Sequence, residues 1–286
     1  MKKILIQLDT DDQPSSFDRV VAVDAEVDHI FSYAGIVPET VEPIVHGAMF
    51  TRGVKDLAHS AIFIGGSNVA AGEALFEKVR SAFLGPVRVS VMMDSNGSNT
   101  TAAAAVLSAR KHLKLEGTVA AVLGGTGPVG LRAAQLLAAE RAVVHVGSRS
   151  AQRAAQACDE IRKAVPDANV AAFATGSVGE VGLALKGAAI VIAAGAAGAE
   201  LLPAEMRRSI SSLKVAIDLN AVPPAGIGGI DVFDKGAERE GVICYGAIGV
   251  GGLKMKIHKT ALRRLFESND QLLERVAIYR IGEALL

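Results

Sequence analysis

The feature that most constrains the fold is a glycine pattern, Gly-x-Gly-x-x-Gly, at residues 125–130. Residues 119–123 before it form an apolar run typical of a buried strand, and residues 131–140 have the apolar spacing of a helix. In such a unit Gly125 permits a tight turn, Gly127 lets backbone approach a pyrophosphate, and Gly130 lets the helix pack closely on the strand. The pattern predicts a Rossmann-type dinucleotide-binding unit. The plainer alternative is a glycine-rich turn with no ligand.

Strands and helices alternate along the rest of the chain, which favours parallel βαβ units. The predicted strands share short apolar runs and lie at residues 3–8, 61–64, 87–93, 142–146, 170–173, 189–193 and 214–218. The predicted helices outside the glycine unit include residues 69–83, 253–266 and 271–286. Ser15 and Asp18 have capping-box spacing at the head of another helix.

The alternation restarts near residues 114–117, and we predict a domain boundary there. The fold class is α/β, with two α/β domains, the second of them Rossmann-type, and a C-terminal helix that returns to the first. The expected bounds are 1–114 for the first domain, 115–255 for the dinucleotide-binding domain and 256–286 for the returning helices.

Composition excludes several classes of protein. The chain of 286 residues has 30 basic and 30 acidic side chains, so its net charge gives no electrostatic basis for binding nucleic acid. Hydrophobic residues make up 50% of it, which excludes disorder, yet no apolar run reaches the ~20 residues of a membrane span. Cys158 and Cys244 lie far apart without metal-ligand spacing, so we expect no disulfide, no metal site and a cytoplasmic location.

The residues after the second strand of the glycine unit indicate which dinucleotide binds. An NAD site usually has a carboxylate here for the ribose hydroxyls, but this chain has Ser148, Arg149 and Ser150. A guanidinium and two hydroxyls suit the additional 2′-phosphate of NADP. We therefore predict NADP as the cofactor, with NAD still open. The alternative for Arg149 is a solvated side chain at a helix start.

Seven strings in both predicted domains share one resemblance. They lie at residues 7–11, 50–53, 94–101, 125–130, 226–231, 246–249 and 251–258. In this order they resemble the bacterial NAD(P)-dependent methylene-tetrahydromethanopterin dehydrogenases, over nearly the whole chain. The resemblance implies oxidation of 5,10-methylene-tetrahydromethanopterin to the methenyl form, with hydride transfer to NADP or NAD, in one-carbon and formaldehyde metabolism. It also implies a homo-oligomer whose first domain binds the pterin.

The resemblance assigns a catalytic role to Lys254, the lysine of the Gly-Gly-Leu-Lys string. In that family this lysine lies near the reacting carbon. The glycines at residues 246–252 predict a flexible approach to it, along which backbone could pass close to a ligand. The alternative is a surface lysine on the following helix. His258 is the convenient acid–base group nearby, although a lone histidine is more often structural.

Polar residues at the carboxyl ends of strands are the candidate ligand contacts, because open α/β sheets bind ligands there. We predict substrate contacts from Asp94, Asn96, Asn99, Thr100 and Thr101, whose carboxylate and amide groups suit the amino-pyrimidinone edge of a pterin. Turn and helix-cap chemistry is the equal alternative for this cluster. Asp9, Asp11 and Asp18 are weaker candidates.

Asn220 follows another predicted strand and is assigned to the cofactor site. With the glycine loop and the ribose loop, the predicted cofactor contacts are Gly125, Thr126, Gly127, Pro128, Val129, Gly130, Ser148, Arg149, Ser150 and Asn220. Two other functions stay open. One is a methylene-tetrahydrofolate dehydrogenase, and the other is a protein that binds NADP without catalysis.

Overall fold

The computed structural model describes all residues from Met1 to Leu286. The chain forms two compact units, Met1–Thr100 together with Met255–Leu286, and Thr101–Lys254. The first division falls inside a helix, whereas the sequence placed a boundary after residue 114, where the secondary structure is interrupted. The first turn of that helix donates hydrogen bonds to the carboxylate of Asp94, the residue after the preceding strand, so its opening residues group with the first unit.

Twelve strands and ten α-helices follow one another along the chain. The strands are β1 (Ile4–Leu8), β2 (His29–Tyr33), β3 (Ser60–Ile64), β4 (Ser90–Met93), β5 (Val119–Leu123), β6 (Val143–Ser148), β7 (Val170–Ala174), β8 (Ile190–Ala193), β9 (Val215–Asp218), β10 (Lys235–Arg239), β11 (Val242–Tyr245) and β12 (Leu272–Leu273). The helices are α1 (Ser16–Asp24), α2 (Glu42–Phe50), α3 (Val69–Ser81), α4 (Ser98–Arg110), α5 (Pro128–Ala139), α6 (Ala151–Ala164), α7 (Val178–Ala184), α8 (Ala204–Ser209), α9 (Ala247–Arg264) and α10 (Arg275–Glu283).

The first unit has a parallel sheet in the order β12-β4-β3-β1-β2. Leu8, Ile64 and Met93 are register partners on one face and pack against α2 and α3 in a buried apolar cluster. On the other face Gln7 lies beside Phe63, and both are buried. The order reverses between β1 and β3, so the loops after these two strands flank the topological switch point of this sheet.

The second unit has a seven-stranded sheet in the order β10-β11-β9-β8-β5-β6-β7. All neighbours are parallel except β10 and β11. From β7 to β11 this is the strand order of the Rossmann fold, with its switch point between β5 and β8. Small residues such as Ala121, Ala193 and Ala216 fill the sheet face, and Leu123 and Val191 add bulk to the same buried cluster.

The predicted α/β class is confirmed, and the predicted strands are present with small changes of bounds. The largest change is at residues 87–93, where the strand begins at Ser90 because Val87 forms an isolated bridge with Leu84 across a turn. Strands β2, β10, β11 and β12 were not predicted, and β12 lies within the residues 271–286 that were predicted to be helical. No helix of the chain combines the length and apolar character needed to cross a membrane.

Candidate dinucleotide and substrate sites

The loop after β5 turns at Gly124, whose φ of +73° lies in the left-handed region. A Cβ there would lie 2.8 Å from the carbonyl oxygen of Ala194. The sequence analysis gave the tight turn to Gly125, and this assignment is wrong by one residue. Gly125 instead permits close approach to β6, because a Cβ on it would lie 2.8 Å from Cγ1 of Val146.

The other two glycines of the pattern differ in how much space surrounds them. A Cβ on Gly130 would lie 2.3 Å from the carbonyl oxygen of Gly124, so its absence lets α5 pack on the loop. A Cβ on Gly127 would meet only that same oxygen at 3.4 Å and the Ala194 oxygen at 3.6 Å. The protein itself therefore tolerates a side chain at position 127 and not at position 130.

The amino terminus of α5 has no side-chain cap. Gly127 is its N-cap residue, Pro128 stands in the first turn, and that turn carries no acidic residue. The first N–H groups of a helix need an acceptor, and the helix dipole favours a negative charge at this end. A pyrophosphate fits both requirements. The predicted residues Gly125, Thr126, Gly127, Pro128, Val129 and Gly130 form the loop and first turn at this terminus, and their contact with a cofactor stays a prediction.

The ribose loop at the end of β6 presents Arg149 to solvent. Ser148 is buried, and its Oγ accepts a hydrogen bond from the Ser150 N–H at 3.3 Å. Ser150 caps α6, because its Oγ accepts from the N–H of Arg153 at 3.3 Å. The two serines therefore hold the loop in shape. The exposed Arg149 side chain makes no hydrogen bond or ion pair within the chain.

Two arginines stand near the amino terminus of α6, where a helix dipole disfavours positive charge. Arg149 immediately precedes the N-cap, Arg153 is in the first turn, and that turn has no acidic residue to compensate them. A doubly charged phosphate bound at this terminus would offset the unfavourable electrostatics. The loop therefore fits the 2′-phosphate of NADP better than a bare ribose.

Asn220 holds the loop that follows β9. Its Nδ2 donates to the carbonyl oxygen of Pro224 at 2.9 Å, and its Oδ1 accepts from the N–H of Val222 at 3.0 Å. The same loop is tied to Asp218, whose carboxylate accepts from the N–H groups of Asn220 and Ile227. Burial raises the pKa of Asp218, although these backbone donors oppose the shift. Both polar atoms of the Asn220 side chain are thus used in hydrogen bonds within the loop.

The sequence analysis missed the loop after β8 as part of the dinucleotide site. Ala194 and Gly195 lie against Gly124, and the Ala194 oxygen is also near Gly127. They border the switch point between β5 and β8. The available signal was a run of small residues, Ala-Gly-Ala-Ala-Gly at 194–198, directly after an apolar strand.

In the first unit, three of the five predicted substrate residues form a helix cap. Buried Asp94 accepts at Oδ1 from the N–H groups of Asn99 and Thr100, at 2.8 and 3.0 Å, and at Oδ2 from the Thr100 hydroxyl at 2.6 Å. The Asn99 Nδ2 donates to the Met93 oxygen at 2.8 Å. These contacts match the alternative of turn and cap chemistry. Asn96 is exposed with a φ of +55°, and Thr101 is half-buried on α4.

The switch point of the first sheet carries Asp9, a weaker sequence candidate. Its buried carboxylate accepts from the N–H groups of Asp11 and Ser15 at 3.0 and 3.1 Å. Across the switch, Asp11 accepts two hydrogen bonds from Ser67, which follows β3. Beside them the Thr10 hydroxyl is buried without a hydrogen-bond partner. A cluster of polar groups with one buried, unpartnered hydroxyl therefore lies at the place where such sheets bind ligands.

Lys254 lies inside α9 and not after a flexible loop. The expected glycine-rich approach is wrong, since residues 247–252 form the first turns of this helix. Gly246 and Gly249 are needed for packing, because a Cβ on either would lie about 2 Å from the carbonyl oxygen of Asp231 or Asp234, respectively. Lys254 is half-buried, and Lys256 is exposed.

His258 is buried one turn after Lys254 on the same face of α9. Its ring stacks on Phe63 with centroids 5.8 Å apart and is tilted against Phe17 at 6.4 Å. These contacts place the ring beside two aromatic side chains. The cysteines are unsuited to chemistry, because burial raises the pKa of both thiols, that of Cys244 to about 11.

Solved structures similar to this chain bear on its fold, and relatives similar in sequence bear on its family. Shikimate 5-dehydrogenase from Listeria monocytogenes, solved with shikimate and NAD, is 13% identical and superposes with a TM-score of 0.53 over 100% of this chain and 96% of its own. Quinate dehydrogenase from Corynebacterium glutamicum, solved with NAD, is 14% identical, with a TM-score of 0.54 over 100% and 99%. At these identities the likeness shows the fold alone, that of two-domain α/β dehydrogenases.

The sequence relatives are closer. The family described as methylene-tetrahydromethanopterin dehydrogenase, N-terminal, matches residues 16–96. The bifunctional protein MdtA of Methylorubrum extorquens is 46% identical over 286 residues, 99% of each chain. The NAD(P)-dependent methylenetetrahydromethanopterin dehydrogenase of the same organism is 32% identical over 268 residues, 90% of each chain. This chain belongs to the methylene-tetrahydromethanopterin dehydrogenase family.

Proposed function

We propose that this protein oxidises 5,10-methylene-tetrahydromethanopterin to the 5,10-methenyl form, with NADP as the preferred hydride acceptor and NAD as the second. The observation that carries the proposal is the 32% identity, over 90% of both chains, to a relative named as an NAD(P)-dependent dehydrogenase of this pterin. The uncapped amino terminus of α5 and the exposed Arg149 support the cofactor. We also place the reaction in cytoplasmic one-carbon metabolism, and the two free cysteines agree with a reducing compartment.

The reaction mainly requires the protein to align the carbon that loses hydride with the nicotinamide. The carbon that loses hydride lies between two nitrogens, and the resulting cation is delocalised over both, so no general base is required. NADP supplies the hydride acceptor when it is bound. Correct alignment alone lowers barriers by up to ~7–11 kcal/mol in intramolecular reactions. A site without a catalytic triad or a metal cluster is therefore sufficient for this chemistry.

Each part of the site has an assigned task in this proposal. The Gly125–Gly130 loop and the first N–H groups of α5 hold the pyrophosphate. Arg149 holds the 2′-phosphate and so favours NADP. Lys254 acts on the pterin and has no part in nucleotide binding. Among the β4–α4 residues, we assign substrate contact to Asn96 and Thr101, whose side chains lie outside the Asp94 cap.

A spectrophotometric assay tests the proposal directly. Methylene-tetrahydromethanopterin and methylene-tetrahydrofolate are each supplied with NADP and with NAD, and nicotinamide reduction is followed. We expect the highest kcat/KM for the methanopterin substrate with NADP. Stoichiometric NADP binding without turnover of either pterin would contradict the proposal and favour a protein that binds the nucleotide without catalysis.

A second substrate is the other candidate function. The relative with 46% identity is named bifunctional. Methylene-tetrahydrofolate carries the same methylene carbon between two nitrogens, so the same alignment would serve it. Turnover of the folate substrate alone in the assay above would replace the first proposal with this one.

A further inference from the structure

Asp218 is a buried carboxylate outside the groups assigned to the phosphates of the cofactor. It is 2% exposed at the carboxyl end of β9, and it makes no ion pair. Its Oδ1 accepts from the N–H of Asn220 at 3.0 Å, and its Oδ2 accepts from the N–H of Ile227 at 3.1 Å. A carboxylate buried without a countercharge is costly, so its presence in a dehydrogenase domain points to a task beyond packing.

The hydrogen bonds of Asp218 close the loop that follows β9, which comprises residues 219–227. The carboxylate binds N–H groups near both ends of this loop. The fit is close, because a Cβ on Gly226 would lie 2.6 Å from the Asp218 Oδ1. Asn220 holds the exposed middle of the loop through two hydrogen bonds to its backbone. The shape of the loop therefore depends on two side chains, those of Asp218 and Asn220.

The loop after β9 packs against the loop after β8. The N–H of Leu219 donates to the carbonyl oxygen of Ala193 at 3.0 Å, and the N–H of Leu201 donates to that of Gly226 at 2.8 Å. The loop after β8 in turn lies against the glycine loop after β5, at the switch point of the sheet. The loops after β5, β8 and β9 are therefore contiguous.

The assigned phosphate sites determine which half of the cofactor meets the loops after β8 and β9. The pyrophosphate is assigned to the amino terminus of α5 and the 2′-phosphate to Arg149, after β6. Strand β6 lies on one side of β5 in the sheet, and β8 and β9 lie on the other. A dinucleotide binds across the switch point, so with its adenosine beside β6 its nicotinamide reaches the loops after β8 and β9. The exposed residues 221–224, Ala-Val-Pro-Pro, suit the flat apolar face of that ring.

We propose that Asp218 is a positioning residue, which holds the loop at residues 219–227 in the shape that orients the nicotinamide ring of NADP. This role rests on the proposed function, since it requires NADP to be the cofactor. Asp218 acts through the loop and does not touch the cofactor. The phosphates depend on α5 and Arg149, so loss of the carboxylate should leave them bound and free only the ring.

Two ligands test the two halves of the cofactor separately. 2′-Phospho-ADP-ribose contains every part of NADP except the nicotinamide, and calorimetric titration measures its affinity. NADPH reports on the ring itself, because its fluorescence rises and shifts to shorter wavelength when a protein shields the reduced ring from water. We expect the wild type to bind both ligands and to enhance NADPH emission. Asp218→Asn, which replaces one acceptor oxygen by a donor, should keep its affinity for 2′-phospho-ADP-ribose within a few fold and lose most of the enhancement at saturating NADPH.

Two further variants complete the experiment. Asn220→Ala frees the middle of the same loop and leaves the buried carboxylate in place, so it should show the same loss and replaces Asp218→Asn if that variant does not fold. Ser212→Ala is the matched control, because the Ser212 Oγ donates to the Ala188 oxygen at 2.9 Å near the amino ends of β8 and β9. It should change neither result. Circular dichroism checks that each variant is folded.

The possible results separate this role from the proposed reaction, because neither ligand requires turnover. Wild-type NADPH emission in folded Asp218→Asn and Asn220→Ala would overturn the proposal. So would an equal fall in 2′-phospho-ADP-ribose affinity, which a general distortion of the second unit would produce. A wild type that binds neither ligand would refute the proposed cofactor and this role with it. If both ligands behave as expected and neither pterin is oxidised, the role of Asp218 stands and the proposed reaction alone fails.

Discussion

Helices α4 and α5 both begin directly after a buried parallel strand, yet their amino termini are satisfied differently. At α4 the carboxylate of Asp94 accepts two backbone N–H groups of the first turn. At α5 the N-cap residue is Gly127, and no side chain makes a capping hydrogen bond. At α4 a carboxylate of the chain thus occupies the position that a bound phosphate would occupy at α5. The cap accounts for Asp94 at α4, whereas the first N–H groups of α5 are left available to a ligand.

The largest effect on folding should come from removing the α4 cap. Asp94→Ala leaves buried backbone N–H groups without an acceptor, in addition to the lost cap. We expect the free energy of unfolding of the first unit to fall by about 2–4 kcal/mol. NADP affinity of the folded protein should stay within a few fold. Urea unfolding followed by calorimetric titration measures both quantities.

Asn96→Gly is the matched control for the α4 cap. Asn96 is exposed and has a φ of +55°, which glycine adopts without strain, so stability should change by less than about 0.5 kcal/mol. If Asp94→Ala left stability unchanged and abolished pterin turnover, the carboxylate would be a substrate ligand, and the contrast between the two helices would not hold.

The next effect concerns the cofactor's 2′-phosphate. Arg149→Ala removes a charge-assisted contact worth about 1.5–3 kcal/mol, so NADP binding should weaken roughly ten- to a hundredfold while NAD binding changes little. Lys163→Ala removes one positive charge from the other end of α6 and should leave both affinities unchanged. Calorimetric titration of both cofactors separates the outcomes. Equal weakening of NADP and NAD by Arg149→Ala would show that this side chain does not bind the phosphate.

The smallest effect is expected on turnover, from a substitution in α9. Lys254→Ala should lower kcat at least tenfold, equivalent to about 1.4 kcal/mol of transition-state stabilisation, with NADP affinity within a few fold. Lys256→Ala, two residues along the same helix and exposed, should be milder. Steady-state kinetics with methylene-tetrahydromethanopterin measures both variants. Wild-type turnover in Lys254→Ala would move the catalytic role to residues at the ends of β1, β3 and β4.

The sequence predicted the architecture well because strands and helices have local patterns. The strand at 119–123 and the glycine loop after it are present as predicted, since apolar run, glycines and helix follow one another within a short stretch. Strand β2 was missed because it is half exposed on both faces, which weakens any apolar periodicity. The fold class could therefore be predicted, because the apolar and glycine patterns that indicate it lie within short segments of the sequence.

The site was harder to predict because it depends on which partner each polar group finds. The same residue types, Asp, Asn and Thr, serve as caps or as ligands, and only the hydrogen bonds of Asp94 distinguish the two. Ala194 and Gly195 were missed because their position beside Gly124 comes from strands β5 and β8, which are neighbours in space and distant in sequence. The glycines before Lys254 suggested a loop, whereas residues 247–252 are helical and close packing requires a glycine at position 249.

The central claim is that the uncapped terminus of α5 holds the cofactor, and Gly127→Val tests it most directly. A side chain at this position meets little of the protein itself, so the fold should persist while the space for a pyrophosphate is filled. Gly179→Val is the control, since a Cβ there meets nothing within 4 Å. Calorimetric titration should show NADP binding in the wild type and in Gly179→Val, and none in a folded Gly127→Val. NADP binding to Gly127→Val with wild-type affinity would contradict the account.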